Sequence, residues 1–226
     1  MSCSLLQLHV QIITRRGVHV TPEQFDERFR MLRRVTESHD LKQQAALVSN
    51  LRRNPTTLKI QSQNLQVRAT ALKLQLLQQL GIDPEQTQKL ITRRPIVLEY
   101  QADSLVRKAT NQGQLLSVDA GYVVVQLWTR HEQLITVGTQ LLDDKLTQLQ
   151  LLLQPYMPLA AVRQLVLSQP RLAAGHSPEA VQGRLKVLQE CLPDWSPEQL
   201  GAALLTYATV LERSPEAIRY KWRIAS

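Results

Sequence analysis

A chain of 226 residues with two cysteines and 4% aromatic residues can bury a core without disulfides or a metal, and such a composition argues against a β-sandwich or barrel. Its formal net charge of +8 is confined to the first half, where residues 1–113 hold 17 Lys and Arg against 9 Asp and Glu, while residues 114–226 hold 10 of each. No apolar run approaches the roughly 20 residues that a membrane-spanning helix needs, so a soluble chain is expected, and its basic half is expected to attract polyanions, most often nucleic acid or an acidic membrane surface.

The opening segment, MSCSLLQLHVQIITRRGVHVTP, lacks acidic residues and mixes Ser, His and Arg with apolar residues. It reads equally as an organelle-targeting peptide and as the first helix of the fold. The first expected break in the chain falls at Gly17, and similar punctuation recurs at Pro55, Pro95, Glu132, Pro170 and Thr209. At each point an apolar helix stops and a short apolar turn leads into another helix. The intervals are 38, 40, 37, 38 and 39 residues. Proline removes a backbone donor and pushes its predecessor out of the α region, so Pro55, Pro95 and Pro170 each end the helix that approaches them.

Restarts are marked as clearly. Thr-Pro-Glu at 21, Asp-Pro-Glu at 83 and Ser-Pro-Glu at 177, 196 and 214 each supply a capping oxygen, a proline in the first turn and a carboxylate near the positive helix end. Gly81 reads as a helix stop, and QPYMP at 154–158 separates two further helices.

Two apolar columns follow this register. Four residues before each break stand Ile13, Leu51, Ile91, Trp128, Val166 and Leu205. After each break stand Phe25, Leu65, Leu105, Leu142, Val181 and Ile218, and four residues further on Phe29, Ala69, Ala109, Leu146, Leu185 and Trp222. A recurring i, i+4 apolar pair is the buried stripe of an amphipathic helix. The expectation is an all-α chain, one helical-repeat domain over residues 1–226, built as an α-solenoid of about six two-helix modules.

The stretches LQQLGIDPEQTQKLITRRPIVL and LVLSQPRLAAGHSPEAVQGRLKVLQECLPDWSPEQLGAALLTYATVLERSPEAIRYKW resemble the mitochondrial transcription termination factor (mTERF) family. That family's repeat has a helix ending in a proline-leucine turn and a Ser-Pro-Glu-like restart. The likeness is close from Pro55 to Pro95 and from Leu165 to Trp222, looser between, and lacks the proline at Glu132 and Thr209. It implies a curved helical stack in a mitochondrion or chloroplast, with a basic surface that holds duplex DNA or structured RNA. It further implies a binding protein, not an enzyme, active in transcription termination, organellar ribosome assembly or RNA processing. Octotricopeptide and pentatricopeptide arrays are the nearest rival repeats.

Two basic columns ride on the modules. Arg28, Arg68, Lys108, Lys145, Arg184 and Lys221 lie three residues after the first post-break apolar column, so they border the buried stripe. They could track a phosphate backbone, or pack their stems beside apolar neighbours with their heads in water. The second column precedes the breaks: Arg15 and Arg16, Arg52 and Arg53, Arg93 and Arg94, then Arg130 with His131. Cations also complement a helix C-terminus by about 0.3–1 kcal/mol. The fifth and sixth modules carry Ser168 and Gln169, then Tyr207 and Ala208, in those places. A purely local benefit would apply to them too, which favours a nucleic-acid surface on the first four modules.

Other chemistry is poorly served. His9, His19, His39, His131 and His176 are scattered, and Cys3 and Cys191 have no ligand spacing, so no metal or other cofactor is expected. Gly17, Gly81, Gly113 and Gly121 form no phosphate loop, and nothing gathers Ser, His and Asp into a triad. Trp128, Trp195 and Trp222 read as core residues before base-stacking platforms. Three functions remain in play: binding structured RNA, ribosomal RNA favoured, within a ribosome or other ribonucleoprotein; binding duplex DNA in transcription; and scaffolding proteins without nucleic acid.

Overall fold

The computed structural model describes residues 20–37 and 41–223, apart from the side chains of 41 and 221–223. Every regular element among these residues is helical. In chain order they are α1 (Pro22–Val35), α2 (Leu41–Arg53), α3 (Ser62–Leu80), α4 (Pro84–Arg93), α5 (Ala102–Leu116), α6 (Ala120–Tyr122, continued by π-helical turns over Val123–Trp128), α7 (Thr139–Leu153), α8 (Leu159–Ser168), α9 (Pro178–Cys191), α10 (Pro197–Thr206) and α11 (Pro215–Arg223). Short helical turns, three of them 3-10, stand at Pro55–Lys59, Pro95–Glu99, Gln133–Thr136, Arg171–Ala174 and Ala208–Glu212. Among the described residues no helix is long and apolar enough to cross a membrane.

The helix starts rest on the capping oxygens that the sequence supplies. Thr21 Oγ1 accepts from Gln24 N at 3.3 Å, Asp83 Oδ1 from Gln86 N at 2.8 Å, Ser177 Oγ from Ala180 N at 3.3 Å, Ser196 Oγ from Gln199 N at 3.2 Å and Ser214 Oγ from Ala217 N at 3.3 Å. Each occupies an N–H that the first helical turn would otherwise leave unpaired. At Thr21 and Ser196 the third helical residue, Gln24 or Gln199, accepts the cap's own N–H in return and completes a capping box. The helix α3 stops at Gly81, whose φ of 64° places it in the left-handed region while Ile82 N bonds to Leu76 O at 3.1 Å.

The succession of helix, short turn and helix recurs in α2–α3, α4–α5, α6–α7, α8–α9 and α10–α11. Like elements pack on like. In the compact body made of Met1–Asn111 and Asp119–Arg130, α1 lies on α3, α2 on α4, α4 on Val123–Trp128, and the turn Pro55–Lys59 on Pro95–Glu99. In the body made of Gln112–Val118 and His131–Ser226, α7 lies on α9, α9 on α11, α8 on α10, and Arg171–Ala174 on both Gln133–Thr136 and Ala208–Glu212.

The post-break column Phe25, Leu65, Leu105, Leu142, Val181 and Ile218 is buried throughout, as are Leu51, Ile91, Trp128 and Val166 before the breaks. Leu146 is half-buried, and Ile13 and the Trp222 side chain lie outside the described residues. Leu205 departs from its column: it is 38% exposed, and its neighbour Leu204, 1% exposed, faces the core. The last turn begins at Ala208, one residue before the expected break at Thr209, so the column shifts by one with it. Without a proline to fix the corner, the sequence offers nothing to separate the two registers. Trp195, expected in the core, is 41% exposed, whereas Trp128 is wholly enclosed.

Candidate nucleic-acid interface

The column on the second helix of each module does work that its spacing did not disclose. Arg28 Nη1 donates to Leu58 O at 2.6 Å, Arg68 Nη1 to Leu98 O at 2.8 Å and Glu99 O at 3.2 Å, and Arg184 Nη1 to Leu211 O at 2.7 Å. In each case a half-buried arginine on one module's second helix clasps a carbonyl in the turn of the next module. The acceptors lie in short turns, where carbonyls lack a full set of helical partners, so a charged donor satisfies what the local fold leaves over.

Lys108 and Lys145 occupy the same register and are also half-buried. Lys108 Nζ stands 5.6 Å from the centre of the Tyr100 ring, and burial holds its pKa below the ordinary lysine value. Lys145 belongs to the surroundings of His176, whose pKa is pushed down by burial first, then by Arg184, with Arg171 and Lys145 adding to it and Glu212 opposing. The Lys221 side chain lies outside the described residues.

The second column is brought together differently. Arg52 and Arg53 close α2, Arg93 closes α4, and α6 remains helical through Arg130. Asn50, only 7% exposed, donates through Nδ2 to Arg93 O at 3.0 Å, which sets the ends of α2 and α4 side by side. Arg94 Nη2 donates to Arg130 O at 2.8 Å, which does the same for α4 and α6. Three helix ends of one body therefore adjoin in order, and Arg52, Arg53, Arg93 and Arg130 are all exposed along them. No carboxylate pairs with Arg52 or Arg93 among the described residues, whereas Arg30 pairs with Asp26, Lys73 with Glu37, Lys89 with Glu85 and Arg219 with Glu190. Arg15 and Arg16 lie outside the described residues.

Charge follows the same division. The body that carries this row holds 18 Lys and Arg against 10 Asp and Glu, a balance of +8, and the other body holds 9 of each. In the neutral body the ends of α8 and α10 carry uncharged residues in the places of the arginines. Ser168 Oγ donates to Leu165 O at 2.8 Å, and Tyr207 N bonds to Ala203 O at 2.8 Å.

Three residues outside both columns also tie modules together. Thr56 and Thr57 each donate a hydroxyl to Glu99 Oε1, at 2.8 and 2.7 Å, and so link one turn to the next. Glu212 stands in the same place in the turn Ala208–Glu212, and the pair of strings PIVLE and ATVLE could have flagged it. Asn50 carries no such signal, because its partner lies 43 residues away. Among the described residues no group of His, Cys, Asp and Glu could hold a metal ion. No model of a known protein family matches the chain, and no curated protein matches it.

Proposed function

We propose that the chain is an mTERF-like helical-repeat protein, an α-solenoid of about six two-helix modules, that binds structured RNA through its basic body. It acts as a binding protein without catalysis, in a mitochondrion or, alternatively, a chloroplast. Ribosomal RNA is the favoured ligand, with the protein as a component or assembly factor of a ribonucleoprotein. The observation that carries this reading is the row of exposed arginines Arg52, Arg93 and Arg130 along three adjoining helix ends, in the body that holds the whole net charge. A cationic row of this kind meets phosphates and reads few base edges. Folded RNA presents phosphates and 2′-hydroxyls over a wide, shallow groove, so recognition by shape is the matching mode.

The clasp by Arg28, Arg68 and Arg184 takes part of the first column into the architecture, and the weight of the reading moves to the second. The test is fluorescence anisotropy with a labelled RNA hairpin, competed by duplex DNA of equal length, over about 50 to 200 mM salt. Affinity for RNA is expected to fall steeply with salt and to exceed that for DNA. Stronger binding to DNA would move the function to transcription. Failure to bind either, or an affinity indifferent to salt, would leave a protein scaffold.

A further inference from the structure

The arginine pairs of the second column are not equivalent internally. Arg53 folds back on its own helix, donating through Nη2 to Asn50 Oδ1 at 2.6 Å and through Nε to Ser49 O at 3.4 Å. Asn50 then spends its amide on Arg93 O at 3.0 Å. Arg94 is half-buried, with its Nε shielded from solvent, and spends Nη2 on Arg130 O at 2.8 Å. Arg52 and Arg93 are exposed at the helix ends, and the exposed Arg130 side chain reaches Gln126 Oε1 of its own helix at 3.2 Å.

We infer that the row is a built device with two kinds of part: Arg52, Arg93 and Arg130 are the groups that meet phosphate, and Asn50, Arg53 and Arg94 are positioning residues that hold the three helix ends in line. The inference rests on the polyanion-binding reading for the first set only. A buried asparagine and a guanidinium that each donate to the last carbonyl of a neighbouring helix fix where the next exposed arginine stands. A row fixed in advance binds with less loss of side-chain and backbone freedom than one assembled by the ligand. Helices in contact lie about 8–10 Å apart, so three adjoining ends spread the contact groups over roughly 20 Å. That is a short stretch of backbone, met by a few phosphates and not by a long wrap.

The experiment uses the full chain and two readouts on each variant. One is the slope of log affinity against log salt for an RNA hairpin; the other is the melting temperature without RNA. Arg52→Gln, Arg93→Gln and Arg130→Gln are each expected to lower the steepness by about 0.7–0.9 and to leave melting unchanged. All three together should lower it by about 2.1–2.7, a difference of roughly 20- to 40-fold in affinity loss across a fourfold salt change. Arg94→Gln and Asn50→Ala are expected to lower the melting temperature and to keep the steepness. If Asn50→Ala fails to fold, Arg94→Gln alone decides. A full step in steepness for Arg94→Gln with unchanged melting would make it a contact residue and overturn the inference. So would a melting loss for Arg93→Gln equal to that for Arg94→Gln. If wild-type protein ignores RNA, the polyanion reading falls with the contact half, and the melting arm still judges the positioning half.

Discussion

Replacing Arg68 with Met keeps an apolar stem and deletes the Nη1 group that reaches Leu98 O at 2.8 Å and Glu99 O at 3.2 Å. Both bonds leave the same nitrogen and the 3.2 Å contact is the weaker, so the pair is counted as one charge-assisted interaction of about 1.5–3 kcal/mol. Leu98 is 1% exposed, so water does not readily replace the lost donor. That places the expected cost in the upper part of the range, about 2–3 kcal/mol. For a chain of this size each kcal/mol moves the melting temperature by about 2–4 °C. Urea unfolding followed by circular dichroism is the assay. Arg68→Lys, which keeps the charge but offers a shorter, single-headed donor, should lose about half as much. Arg52→Met, on an exposed side chain, is the control and should stay within about 0.5 kcal/mol. A cost for Arg68→Met no larger than that of the control would refute the clasp as a source of stability.

Other outcomes follow from single contacts. A Cβ built on Gly201 would sit 2.0 Å from Tyr156 O, so Gly201→Ala must push α10 off that carbonyl, at a cost of about 1–3 kcal/mol or more in urea unfolding. Ser196→Ala removes one half of a capping box, an expected loss of about 1 kcal/mol, and an unchanged unfolding midpoint would count against the cap. Glu179, Glu198 and Glu216 have pKa values held below the ordinary glutamate value. In Glu179 and Glu216 a backbone N–H is the main cause and the cap serine adds to it, and in Glu198 the Ser196 hydroxyl leads. Their contribution is fully present above the ordinary glutamate range and is lost as pH falls through the lowered values. Melting measured on an acid titration should therefore show a plateau, then a decline, that is shallower in the triple Glu→Gln variant.

The all-helical class was legible because three signals agree: proline stops, Ser-Pro-Glu restarts and apolar pairs four residues apart. Phe25, Leu65, Leu105, Leu142, Val181 and Ile218 are buried for that reason. At the last break the proline was missing and the register slipped by one, whereas at Glu132, also without proline, Trp128 is buried as expected. Ala208 takes the place of a proline, and Leu204 faces inward where Leu205 was expected. The π-helical turns at Val123–Trp128, before the proline-free break, also carry no sequence cue. Among the candidate residues, periodicity found the positions of Arg28, Arg68 and Arg184 but not their acceptors. Which head reaches water and which reaches a carbonyl about 30 residues away depends on packing between modules, and a single sequence does not specify it. For the same reason Asn50, whose bond fixes the neighbouring helix end, looked like an ordinary polar residue.

The guanidinium clasps of Arg28, Arg68 and Arg184 each point from a module toward its successor. Shortening from the amino side would delete donors and bare a few turn carbonyls, which water can serve. Shortening from the carboxyl side would maroon a cation such as Arg184 against a face that no longer offers it oxygen. These clasps are thus vectorial, and the chain's tolerance of truncation should differ between its two directions.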